Sequence, residues 1–102
     1  MYPSMMLDSR DEYNNSFLTL AAQIGNFEIV CLFLLKGVNV NLQNVFFIKN
    51  IKIISKNDGN TALHLALSYN NDAIVDKLIA FGAQENIKNN EGKTAWDMYS
   101  KK

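Results

Sequence analysis

The chain has 102 residues, 48% of them hydrophobic, enough for one small domain with an apolar core and no more. Ten basic side chains balance ten acidic ones, so no whole-molecule field draws the chain to nucleic acid or to an anionic membrane. Cys31 is the single cysteine, which excludes an internal disulfide and a cysteine-built zinc site.

In chain order, Met1 to Glu12 lacks the basic and apolar segments of a secretory signal, and no stretch reaches the roughly 18 apolar residues of a spanning helix. A reducing compartment, cytoplasm or nucleus, is expected, and residues 1–11 read as a tail. Residues 12–44 form a first predicted unit, a helix-turn-helix. Ser16-Phe17-Leu18-Thr19-Leu20-Ala21-Ala22 opens its first helix, Gly25 ends that helix, and a second runs from Phe27 to Lys36 before Gly37.

Residues 57–89 form a second unit of the same design. Thr61 is positioned to cap the first helix by accepting a free backbone N–H, with Leu63, Leu65 and Ala66 turned to neighbouring layers. Asn70 stands where Gly25 stood and is expected in the left-handed conformation that ends a helix. A second helix follows from about Asp72 to Phe81, with Ile74, Val75, Leu78 and Ile79 as its apolar stripe and Gly82 closing it. Residues 90–102 supply one further helix, about Ala95 to Ser100, and no partner for it, which leaves Trp96 and Met98 partly exposed.

The units repeat. Ser16–Ala22 falls on Thr61–Leu67 at an offset of 45, whereas Thr61 and Thr94 stand 33 apart. The difference lies in residues 45–56, Val45-Phe46-Phe47-Ile48-Lys49-Asn50-Ile51-Lys52-Ile53-Ile54-Ser55-Lys56. Without them, Leu42-Gln43-Asn44 joins Asn57-Asp58-Gly59-Asn60-Thr61 and matches Ile87-Lys88-Asn89-Asn90-Glu91-Gly92-Lys93-Thr94 without a gap.

Thr61-Ala62-Leu63-His64-Leu65-Ala66 resembles the ankyrin signature T-P-L-H-x-A, whose family period is 33 residues. The resemblance implies an all-α solenoid of stacked helix-turn-helix units with short hairpin fingers: two full repeats and a partial third. It also implies a protein-protein interaction module and no enzyme. The sequence departs from the pattern where Phe17, Ala62 and Ala95 replace the proline after the cap, and where Asn14 stands in place of the finger glycines Gly59 and Gly92.

The insertion admits several readings. Phe, Ile, Lys and Asn are encoded by A/T-rich codons, every Val codon begins with GT and Lys can be AAG, so the segment reads as a short intron translated in frame. A loop grown at a finger tip is the alternative. As a helix it would place Lys49, Lys52 and Lys56 opposite Phe47, Ile51 and Ile54, an interfacial pattern. As strands it would be an aggregation-prone edge, and its lysines and phenylalanines could meet single-stranded nucleic acid.

No constellation for catalysis is apparent. His64, the one histidine, matches the ankyrin histidine whose ring bonds to the capping threonine, here Thr61, and to nearby backbone; Thr19 and Asp97 occupy the equivalent places as locally bonding polar groups. Cys31 reads as a small buried hydrophobe on the second helix of the first unit. No cofactor, metal or small-molecule substrate is expected.

What the resemblance implies about binding falls on finger tips and the exposed side of the first helices. Carried over, these are Tyr13, Asn15, Gln23, Ile24 and Gln43 in unit one, Asn57, Asp58, Asn60, Ser68 and Tyr69 in unit two, and Lys88, Asn90, Glu91 and Lys93 on the finger into unit three. Tyr13 and Tyr69 lead, since tyrosine gives large contact area at little rotamer cost. A monomer that meets an unidentified protein is expected; the alternatives are the regulatory portion of a larger enzyme, or a gene fragment.

Overall fold

The computed structural model describes residues 17–44 and 59–99, together with the backbone of two strands at 46–48 and 51–53. Two helix pairs make the body: α1 (Phe17–Ile24) with α2 (Phe27–Leu35), and α3 (Ala62–Ser68) with α4 (Asp72–Ala80), followed by a 3-10 turn at Trp96–Met98. The tail 1–11, Tyr13, Asn14, Asn15, Ser16, the remainder of the insertion, Asn57, Asp58 and residues 100–102 lie outside the described residues.

Each helix begins and ends for a local reason. Thr61, extended at φ −87° and ψ 172°, accepts the His64 N–H to start α3, and the Asn26 side chain accepts the Ile29 N–H to start α2. All four helices end alike, with an N–H bonding back five residues: Asn26 to Ala21, Val38 to Phe33, Asn71 to Ala66 and Ala83 to Leu78. That closure needs a left-handed residue just before its donor. Gly25 (φ 88°) supplies it after α1 and Asn70 (φ 57°) after α3, as their alignment predicts.

Stacking makes the core. The helix α1 packs on α3, α2 on α4, and the two helices of each pair pack on one another, while the 3-10 turn lies on α3. Leu18, Ala22, Val30, Leu34, Leu63, Leu67, Ile74, Val75 and Leu78 belong to one continuous apolar cluster that also takes in Ala95. Burying each leucine stabilises by about 1.5–3 kcal/mol, and neither pair has enough of them to fold by itself. The expected all-α solenoid is therefore the architecture, and Ile74, Val75, Leu78 and Ile79 form the inward stripe of α4 as predicted.

Two expectations are corrected, and one open reading is decided: residues 46–48 and 51–53 are strands, β1 (Phe46–Ile48) pairing antiparallel with β2 (Ile51–Ile53), with Phe46 opposite Ile53, Phe47 opposite Lys52 and Ile48 opposite Ile51. The β-branched and aromatic content favours strands over the helical register that would have aligned the lysines. The third unit's helix is a single 3-10 turn, closed by Met98 N–H to Ala95 O; so short a segment cannot offset the cost of nucleating an α-helix. Trp96 is exposed and Met98 half-buried, as their position implied. Cys31 is half-buried rather than buried. No helix among the described residues is long and apolar enough to cross a membrane.

Candidate protein-binding surface

Gln23 near the end of α1 and Tyr69, the C-cap of α3, meet across the boundary between the two helix pairs: the Gln23 amide donates to the Tyr69 hydroxyl at 3.3 Å. Beside Gln23, Ile24 is 78% exposed, and Tyr69 is 52% exposed. Ser68 is half-buried. An apolar group, an aromatic ring and an amide are thus presented together on successive first helices, which was legible from the alignment of the two units.

The fingers divide differently. Lys88, Asn90, Glu91 and Lys93 are exposed on the second finger. Gln43 and Asn60, expected alongside them, serve the framework. The Gln43 amide donates to Gly59 O at 2.8 Å and to Lys88 O at 3.1 Å, strapping one finger to the next. Asn60 is buried; its side-chain oxygen accepts the Asn89 amide at 3.0 Å. Tyr13, Asn15, Asn57 and Asp58 fall outside the described residues.

Both fingers close with the same bonds. In the second, Asn89 N–H donates to Lys93 O at 2.9 Å and Gly92 N–H to Asn89 O at 2.9 Å, while the Asn89 side-chain oxygen accepts Lys93 N–H at 3.0 Å. In the first, Asn44 N–H donates to Asn60 O at 2.8 Å, Gly59 N–H to Asn44 O at 2.8 Å, and the Asn44 side-chain oxygen accepts Asn60 N–H at 2.7 Å. The two fingers also touch. A side chain added at Gly59 (φ +84°) would meet the Asn90 side chain at 2.7 Å and its backbone nitrogen at 3.0 Å.

His64 is a structural residue, as its local-bonding reading holds. Its Nδ1 accepts the Thr61 backbone N–H at 3.1 Å and lies 2.9 Å from the Thr61 hydroxyl, and its Nε2 lies 2.9 Å from Lys93 O. A donor on one side and a carbonyl on the other select the neutral ring with its proton on Nε2. Burial holds its pKa below the usual histidine value, opposed by the Lys93 carbonyl and more distantly by Asp97. In the third unit Thr94 and Asp97 repeat the exchange: Thr94 N–H donates to the Asp97 carboxylate at 2.9 Å and Asp97 N–H to the Thr94 hydroxyl at 3.4 Å. These Thr94 bonds hold the Asp97 pKa below the ordinary carboxylate value against desolvation, with Lys93 and Lys88 adding weaker pulls in the same direction as the bonds.

Sequence reasoning missed the latches between units. Asn71, placed to cap α4, makes no side-chain capping bond and instead donates to Ala22 O at 2.9 Å, satisfying a carbonyl near the end of α1. Asn41 likewise accepts Gln84 N–H at 2.8 Å. The available signal was an asparagine recurring at matched places in both units. Among the described residues no group of three or more His, Cys, Asp or Glu side chains could hold a metal.

A family model described as ankyrin repeats (3 copies) matches residues 18–100. An ankyrin repeat protein of Fowlpox virus (strain NVSL) is 32% identical over 78% of this chain and 30% of its own length. The transient receptor potential cation channel subfamily A member 1 homolog of Caenorhabditis elegans is 30% identical over 91% of this chain and 9% of its own length. This chain therefore spans less than a third of either relative. Ankyrin repeats are generally protein-protein interaction modules, built without catalytic machinery. The match over most of the chain, together with the stacked helix pairs and their Thr61–His64 cap, shows that the chain belongs to the ankyrin repeat family.

Proposed function

We propose that the chain is a protein-binding module of the cytoplasm or nucleus, acting as a monomer, whose partner lies across the first helices and the second finger. Its repeats would be residues 12–44, 57–89 and a partial 90–102, interrupted by 45–56. Gln23, Ile24, Ser68 and Tyr69 would form the helix face of the site, and Lys88, Asn90, Glu91 and Lys93 its finger face; Tyr13, Asn15, Asn57 and Asp58 extend the proposal from the sequence alone. The bond between Gln23 and Tyr69 carries this reading, because it joins the two repeats into one surface with Ile24 exposed beside it. Mixed charge on the finger, Lys88 and Lys93 with Glu91, suits selection of a partner more than bulk attraction.

Affinity capture from the source lysate tests it, using the intact chain and Tyr69→Ala. A protein retained by the first and reduced at least about tenfold by the second, with unchanged thermal unfolding, supports the site. Capture indifferent to Tyr69, Ile24 and Glu91 substitutions alike would remove it.

A second reading, the regulatory portion of a larger protein, is favoured by the small share of each relative that the chain spans. A reading frame that continues past Lys102 into a further domain would support it, and a stop codon there would not.

A further inference from the structure

A cleft of about 310 Å³ opens between the flank of α4 and the 3-10 turn, lined by Leu67, Asp72, Val75, Asp76, Trp96 and Tyr99. None of the residues in the proposed helix and finger surface lines it. Its floor is apolar, since Leu67 and Val75 are buried, whereas Asp72, Asp76, Trp96 and Tyr99 are exposed around it.

Comparison of the two repeats separates this flank from a stacking face. At the offset of 45, Asp72, Val75 and Asp76 match Phe27, Val30 and Cys31 of α2. The helix α2 packs on α4, and its Phe27 reaches Lys77, whose Nζ stands 5.9 Å from the ring centroid. On α4 the valine is kept, but carboxylates replace the phenylalanine and the cysteine. An apolar helix laid there would strip water from two like charges one turn apart. Asp72 has a local reason to be acidic, because it stands in the first turn of α4; Asp76 has none. Among the described residues neither carboxylate has an ion-pair or hydrogen-bond partner for its side chain.

The aromatic wall opposite is held in place. Trp96 Nε1–H donates to the Glu85 carboxylate at 2.8 Å, and the Trp96 and Tyr99 rings meet edge to face at 6.0 Å and 68°. Both rings stay exposed in spite of these contacts. An aromatic face attracts a cation, tryptophan most strongly, and the two carboxylates attract the same charge. Arginine answers both: its planar guanidinium stacks on rings, forks onto carboxylates and is more weakly hydrated than an ammonium, while its methylene stem covers apolar surface. We infer that this cleft seats an arginine side chain of a protein partner, with the stem over Leu67 and Val75 and the guanidinium among Asp72, Asp76 and the two rings.

Trp96 is the one tryptophan of the chain, so its emission reports on the cleft directly. The intact chain is titrated, up to about 10 mM, with an acetylated and amidated pentapeptide that holds one arginine between glycines; its citrulline counterpart keeps the shape and lacks the charge. The arginine peptide is expected to change the emission saturably, with half-saturation at about 1 mM. Citrulline in the peptide, or Asp76→Asn in the chain, should weaken the response at least about tenfold, and Asp76→Asn should leave thermal unfolding unchanged. Glu28→Gln, which removes an equal charge from an exposed position on α2, should not move the titration. Nor should Tyr69→Ala, which keeps this outcome distinct from that of the helix and finger surface. No change in emission, an equal response to both peptides, or an undiminished response in Asp76→Asn would overturn the inference. So would a reading frame that continues past Lys102 into a helix that buries Trp96 and abolishes the response, since the cleft would then be the seat of that helix.

Discussion

The helices α1 and α3 occupy equivalent places in successive repeats and fare differently. In α3 every residue from Ala62 to Leu67 is buried, whereas over the matching stretch of α1 Leu18, Thr19, Ala21 and Ala22 are buried while Phe17 is exposed and Leu20 half-buried. Composition does not explain this, since α1 is as apolar as its counterpart. The difference is company: α3 packs against α1, α4 and the 3-10 turn. In a solenoid the same amino acid thus contributes according to its position in the stack, and a central repeat carries more of the stability than its neighbours.

Substitutions at matched places sharpen the contrast. The largest effect is expected at Leu65, the counterpart of Leu20 and part of the buried cluster, where Leu65→Ala should cost about 2–5 kcal/mol by urea unfolding. At half-buried Leu20 in α1 the same change should cost only about 1 kcal/mol; equal losses would mean that the stack does not set the contribution. The fingers give a second matched pair. Gly59→Ala meets both left-handed strain and the backbone of Asn90, and should cost about 2–3 kcal/mol, whereas Gly92→Ala (φ 76°), with nothing within 4 Å, should cost about 1 kcal/mol.

Acid should act through the middle of the stack. His64 has a lowered pKa in the folded state, so the unfolded chain binds the proton more readily. Its contribution is complete above the unfolded value of about 6.5 and is lost as pH falls below that value toward the folded pKa. Protonation would set a proton on Nδ1 against the Thr61 N–H. Urea midpoints measured from pH 7.5 downward should decline through that window, and His64→Gln should flatten the decline; an unchanged slope would assign it elsewhere. Asp97 acts separately: its pKa is depressed, so its contribution is present above the ordinary aspartate value and is lost as pH falls through the folded one.

The smallest effect is a gain. Asn70 ends α3 at positive φ, and its side-chain oxygen is buried without a hydrogen-bond partner. Asn70→Gly, which copies Gly25 of the preceding repeat, should raise stability by about 0.5–1 kcal/mol in thermal melts.

Much of this was legible in the residues. The helix start at Thr61 and the stops at Gly25, Asn70 and Gly82 follow local rules, and with the apolar stripes they located the helix pairs. Stacking followed from the repeat. What stayed hidden was the use of polar side chains between repeats. An asparagine before a helix reads as its cap, and Asn26 obeys, but Asn71 turns to Ala22 of the preceding repeat because a carbonyl there lacks a partner of its own. Gln43 and Asn60 likewise read as finger-tip contacts, and only the nearness of the next finger converts them into straps and pins. The strands at 46–48 and 51–53 were one of several open readings, since a short run of Phe and Ile with interspersed Lys carries no decisive period.

The hydrogen bonds that join Asn44 to Gly59 and Asn60 act as a clasp indifferent to the path between its jaws. Whatever leaves at Asn44 and returns at Gly59 is gauged only by whether its two ends come back to the same spot. Such a port accepts peptide of varied length with little penalty to the scaffold, which makes this finger the natural place to graft an epitope tag or a reporter helix.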